Sequence, residues 1–365
     1  MKKIKSGPSL YHVSDKAISD GLEKISVIQM IHFLRRKGIF VSNEMKKEDL
    51  IKYIITFNFG YSDFRWLTNL LESPNNKVRT EVSKLDIDID TERLKVIANE
   101  IKKELASEEI DCRVIKKDNT VKLELNYISE DLSVSELRQK KTVKSEIEIT
   151  NKGGSLGFSY GSLAPIKDIK DIFIKKIQIE TGECNVEPIE ISLKYITKPD
   201  KRSEFFIKLA NNIEGYIFDD ILSVDVTKNF EKDKEDIDKK EEAQEGHIAA
   251  IRNAVLKGVS VINTPSFEQL HDDGYYIYKI VWSSIEDVID GKKVIFEAQF
   301  GDRDKCCDFK YLVKYVYDVA RSRRAKGLHA QKHREISSLE RKKLNSLLED
   351  SALRQFSNIQ SDKGE

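Results

Sequence analysis

Residues 25–56, ISVIQMIHFLRRKGIFVSNEMKKEDLIKYIIT, constrain the fold more closely than any other stretch of the chain. Ser26 followed three residues later by Gln29 is a capping-box spacing, in which the hydroxyl and the amide each satisfy a free backbone group, so a helix starts there. Val27, Met30, Ile31 and Leu34 recur at helical spacing and give that helix one apolar face. Arg35, Arg36 and Lys37 close its last turn, where the helix dipole favours cations, and Gly38 stops it. After the extension Ile39-Phe40-Val41-Ser42-Asn43, a second amphipathic run carries Leu50, Ile51 and Ile54 behind Lys46-Lys47-Glu48-Asp49. The expected unit is helix, extension, helix.

That order resembles the SAP family and its helix-extension-helix relatives. Val27, Ile31 and Leu34 fit the first helix of the family pattern, Arg36-Lys37-Gly38-Ile39 its basic turn, and Lys47-Glu48-Asp49-Leu50-Ile51 its second helix. The extension is longer than in the family pattern, and Asn43-Glu44-Met45 stands where a small residue usually precedes the second helix. The resemblance implies contact with DNA through the helix ends and the basic turn, with Arg35, Arg36, Lys37, Lys46 and Lys47 reaching phosphates. Read from the residues alone, the same helices also suit a hairpin packed on its neighbour or used for protein contact.

Composition adds exclusions. Lysine plus arginine equals aspartate plus glutamate, 62 each, so no global basic field argues for nucleic acid and any such binding rests on local patches. No segment approaches the roughly 18 apolar residues of a membrane span, and a cytoplasmic protein without membrane partners is expected. Cys112, Cys184, Cys306 and Cys307 lack CxxC spacing; reduced thiols are expected, with no structural zinc, other metal or cofactor.

Along the 365 residues, periodicity predicts a multidomain α+β protein. Residues 1–87 form an N-terminal helical module, with 1–20 a loosely held lead-in and the apolar stretch Phe64–Leu71 capping it. Residues 88–227 form a middle mixed α+β domain with antiparallel strands: a helix over 91–108, a hairpin over 112–127, strands at 145–150, 172–179, 189–197 and 221–226, and a helix over 203–213. The glycine-rich stretch 153–162 lacks the Lys-Ser/Thr of a P-loop and reads as a connection or bulged strand. Residues 228–246 are nearly all charged and read as a linker. Residues 247–365 form a C-terminal antiparallel sheet with long amphipathic helices: a helix from His247 to Leu256, strands at 275–282 and 293–300, a helix through Phe309, Leu312, Val313, Val316, Tyr317 and Ala320, and a last helix carrying Leu344 and Leu348.

Two constellations bear on chemistry. Residues 321–334 are the densest positive segment, with Arg321, Arg323, Arg324, Lys326, Lys332 and Arg334 able to neutralise phosphates or, alternatively, to cover helix carbonyls as a solvated connection. His329 and His333 are four apart but lack an acidic or cysteine partner for a metal. Glu297-Ala298-Gln299, followed by Asp302 and Asp304, faintly resembles the metal-binding strand of PD-(D/E)xK nucleases, without the Pro-Asp and the lysine; the plainer reading is an edge strand with Glu297 and Gln299 on its wet face. Serine-nucleophile, HExxH and kinase motifs are absent. The expected function is an accessory nucleic-acid-binding protein, with DNA as partner and no catalytic site. The alternatives are a protein-interaction scaffold, with a protein partner or self-association, and a degenerate metal-dependent nuclease using Glu297.

Overall fold

The computed structural model describes residues 14–71, 78–134, 136–228, 253–258, 261–318, 333–334 and 336–361. In chain order the elements are α1 (Asp15–Leu22), α2 (Val27–Arg36), α3 (Lys47–Ile54), α4 (Tyr61–Leu71), β1 (Thr80–Leu85), α5 (Thr91–Ala106), β2 (Asp111–Lys117), β3 (Thr120–Glu130), α6 (Glu136–Gln139), β4 (Lys140–Asn151), β5 (Leu156–Gly161) and α7 (Ala164–Thr181). There follow β6 (Ile189–Glu190), α8 (Pro199–Asn211), β7 (Tyr216–Thr227), β8 (Asn253–Lys257), α9 (Pro265–Asp272), β9 (Tyr276–Glu286), β10 (Lys293–Asp302), β11 (Cys307–Tyr317), β12 (His333–Arg334) and α10 (Ser338–Ser361). The chain is mixed α+β. The described residues fall in two compact units, one drawn from Met1–Asn76, Lys95–Ile115 and Lys122–Glu146, the other from Lys77–Leu94, Lys116–Val121 and Ile147–Glu365.

In the first unit the capping box forms as the spacing demands: Gln29 N–H donates to Ser26 Oγ at 3.3 Å, and Ser26 N–H donates to Gln29 Oε1 at 2.8 Å. At the other end of α2, Gly38 takes φ +78° and Ile39 N–H donates to the Leu34 carbonyl at 2.9 Å, a left-handed cap that turns the chain back. Met30, Ile31, Phe33 and Leu34 then bury against Leu50, Ile51 and Ile54 of α3 and Leu67 of α4. The Phe33 ring stacks on Phe59 and Trp66, with centroids at 5.5 and 4.9 Å. Helix-extension-helix is therefore present. Residues 1–13 of the lead-in lie outside the described residues; the rest is held, because α1, capped by Ser14, contributes Ala17, Ile18 and Leu22 to the same core.

The second unit is organised by an antiparallel sheet in the order β5-β1-β11-β10-β9-β7-β8, with residues 147–151 of β4 pairing with β5. Register assigns its two faces. Val82 lies opposite Ser159, and neighbouring Thr80 opposite Tyr311; on this face Asn345 of α10 meets Thr80, and Phe205 and Phe206 of α8 pack on Phe300 and Phe309 with centroids 5.4 to 5.8 Å apart. On the other face Phe158, opposite Ser83, meets Phe173 of α7 at 6.4 Å. The unit is thus helix, sheet, helix, with its large apolar core under α8 and α10.

Several expected elements come out differently. Phe309 to Tyr317 is strand β11, not an amphipathic helix; Ala320 lies outside the described residues. Phe309, Leu312, Val313 and Val316 fit helical spacing, but Phe309, Tyr311 and Val313 also alternate, and pairing with both β10 and β1 decides for the strand. The reverse holds at 172–179, which lies inside α7: Ile166, Ile169, Phe173, Ile174 and Ile177 line its buried face, Pro165 stands in its first turn and Gly182, φ +75°, caps it. Of 189–197 only Ile189–Glu190 is strand, and Asn253–Lys257, at the end of the expected His247–Leu256 helix, is an edge strand. Residues 229–246 of the charged run lie outside the described residues; on either side of it β7 pairs with β8 and β9 within one compact unit.

Candidate nucleic-acid interface

The basic residues of the first unit divide into held and unheld. Lys37 Nζ lies 2.6 Å from the buried Asp63 carboxylate and 5.7 Å from the centre of the Phe33 ring, which ties the end of α2 to the start of α4. Lys47 donates to the Glu23 carbonyl at 2.7 Å. Arg35, Arg36 and Lys46 are exposed and make no ion pair or side-chain hydrogen bond with another described residue. Lys46 is also the N-cap of α3 and gives it no side-chain cap.

In the second unit, Arg321, Arg323, Arg324, Lys326 and Lys332 lie outside the described residues. Arg334 is described, and its guanidinium is engaged. It bridges Glu340 through two bonds of 2.7 Å and meets Asp318 at 2.8 Å, holding the first turn of α10 against the end of the sheet. Hydrogen bonding from Arg334, with help from Lys292, holds the Glu340 carboxyl down at about 2 despite partial burial. His333 is part of the short strand β12, and His329 lies outside the described residues.

Glu297 departs furthest from its expected surroundings. β10 is an interior strand between β9 and β11, not an edge, and the Glu297 side chain is only 2% exposed rather than wet. Its Oε1 accepts from Arg79 Nε at 2.8 Å and from the Arg79 terminal nitrogen at 2.6 Å, while Oε2 accepts from Lys314 at 2.8 Å. Burial opposes ionisation, but the hydrogen bond from Lys314 and the charge of Arg79 outweigh it and keep the carboxyl below its usual range. A metal at Glu297 would have to displace both cations. Asp302 is committed elsewhere, its Oδ1 accepting the Asp304 and Lys305 amides at 3.1 and 3.0 Å, and Asp290 sits in the β9–β10 turn with φ +58°. Among the described residues no group of three or more His, Cys, Asp and Glu could hold a metal ion.

On the same sheet face, Glu81 accepts from Ser162 at 2.6 Å and lies 2.9 and 3.2 Å from Lys167 and Lys310. Buried carboxylates thus sit beneath partly exposed cations. Sequence reasoning missed Arg79, Lys167, Lys310 and Lys314. Lys310 and Lys314, four apart, share a face in a helix or a strand; the pairing of β11 with β10 and β1 is what sets that face beside Glu297 and Glu81.

Residues 22–77 match the family model of the GAPS4b protein N-terminal domain. The matched stretch takes in α2, α3 and α4, and with them Arg35, Arg36, Lys37, Lys46 and Lys47. Glu297 and the 321–334 segment lie beyond it. No curated protein matches the chain.

Proposed function

We propose that the chain is an accessory nucleic-acid-binding protein of the cytoplasm, with DNA as its partner and no catalytic site of its own, and that the SAP-like helical module makes the contact. The observation that carries this reading is the set Arg35, Arg36 and Lys46, which present positive charge to solvent while neighbouring Lys37 is spent on Asp63. Charges without an acidic partner are free to replace counterions on phosphates. Three such contacts to duplex DNA lower affinity about 40-fold between roughly 50 and 200 mM salt. Fluorescence polarisation with labelled duplex across that range tests it. The expected result is this salt slope, flattened in Arg35→Ala/Arg36→Ala; absence of binding at the low-salt end refutes the reading. Plasmid incubated with Mg²⁺ or Mn²⁺ should stay intact, and metal-dependent cutting that disappears in Glu297→Ala would restore the nuclease alternative.

One observation favours the scaffold alternative. In the second unit Ile217 pairs directly with Ile285, and Val288 and Ile289 follow in the adjoining turn, with exposures of 57, 38, 62 and 97%. Four aliphatic side chains at one end of a sheet suit a protein contact. Ile289→Asp/Val288→Asp would abolish such a contact and leave salt-dependent DNA binding untouched.

A further inference from the structure

The exposed surface of the first unit carries more than charge. Phe40, in the extension between α2 and α3, is 83% exposed, the largest exposure of any aromatic side chain among the described residues of the unit. Its neighbours Ile39 and Val41 are partly buried against the helical core, so the extension is anchored on either side of Phe40 and the ring is left outward. The backbone fixes this placement: Gly38 N–H donates to Arg35 O and Ile39 N–H to Leu34 O, both at 2.9 Å, which folds the start of the extension back against the last turn of α2. Phe40 therefore follows directly on the turn that presents Arg35 and Arg36. Beyond it the Ser42–Met45 turn, closed by Met45 N–H to Ser42 O at 3.3 Å, leads to Lys46.

We infer that this surface takes single-stranded nucleic acid, with an unpaired base stacked on Phe40 and the flanking phosphates held by Arg35, Arg36 and Lys46. A duplex offers phosphates to the cations but keeps its base faces stacked inside; only an unpaired strand can use the ring. Burying an exposed phenyl face also removes it from water, a gain that phosphate contacts alone do not supply. The inference rests on the nucleic-acid reading above and narrows it to the strand with free bases. DNA and RNA strands share this chemistry, and the assay separates them.

Fluorescence polarisation of the full chain with labelled oligo-dT, oligo-rU and a duplex of equal length, at about 50 mM salt, tests the inference. The expected result is tighter binding of one or both single strands than of the duplex, with the preferred sugar named by the dT and rU arms. Phe40→Ala should weaken single-strand binding about tenfold and leave the duplex unchanged, Phe40→Trp should restore it, and Arg35→Ala/Arg36→Ala should weaken both. Because the ring is outside the core, thermal unfolding of Phe40→Ala should match the wild type. Equal binding of strand and duplex, with Phe40→Ala altering neither, overturns the inference and leaves the nucleic-acid reading standing. Failure of every polynucleotide to bind removes both.

Discussion

Glu297→Gln keeps the shape of the side chain and removes the charge that Arg79 and Lys314 share. Three hydrogen bonds of 2.6 to 2.8 Å converge on a carboxylate only 2% exposed, while Arg79 and Lys314 remain 33 and 30% exposed. Breaking a fully buried ion pair costs about 3–5 kcal/mol because a charge is stranded. Here the stranded charges keep water, and the amide oxygen still accepts one bond, so the cost falls to about 2–3 kcal/mol, roughly the difference between charge-assisted and neutral hydrogen bonds at two positions. In urea this lowers the midpoint by about 1 M. Tryptophan fluorescence is a suitable signal, since Trp282 stacks on Phe296 of the same strand at 5.4 Å. The folded carboxyl titrates below its unfolded value, so its contribution is complete above about pH 4.3 and is lost as pH falls through the lower folded value. The gap between wild type and Glu297→Gln should therefore be full at neutral pH and close in acid. Equal stability at pH 7, or a gap that does not change with pH, refutes the argument.

Burial pushes the Glu349 carboxyl up to about 7, assisted by Asp350 and Glu148 and opposed by Lys152 and the Tyr311 hydroxyl. A raised carboxyl costs stability as pH rises from the unfolded value near 4.3 through the folded one, so Glu349→Gln should exceed wild type by up to about 3 kcal/mol above pH 7 and match it near pH 4, as urea unfolding at the two pH values will show. A Cβ at Gly291 would lie 1.9 Å from the Glu286 carbonyl oxygen, so Gly291→Ala must open the β9–β10 turn and should lower the thermal midpoint by the equivalent of about 1–3 kcal/mol. Ser26→Ala removes one side of the capping box and should cost the first unit about 1 kcal/mol, read as a loss of protection of the α2 amides in hydrogen exchange.

Local chemistry determined those features whose physics is complete within a few residues. The Ser26–Gln29 cap, the Gly38 stop, the α2–extension–α3 order, the β2–β3 hairpin with Asp118 at φ +49°, and the antiparallel β9–β10 pair were all legible because each is set by a turn, a cap or an alternation. Tertiary structure decided what depends on neighbours distant in sequence. β11 and α7 each carried two competing periodicities, and pairing of β11 with β1 and β10 settled one while packing of Phe173 on Phe158 settled the other. The charged run at 228–246 marks a change of composition, but the backbone bonds of β7 go to β8 and β9, so no domain ends there. Glu297 could be placed on a strand face from sequence; that the face is buried follows from Arg79, 218 residues earlier, whose guanidinium no local pattern could bring to it. The same holds in reverse for Lys37, locally indistinguishable from Arg35 and Arg36: only the fold sets Asp63 beside it and leaves the two arginines facing water.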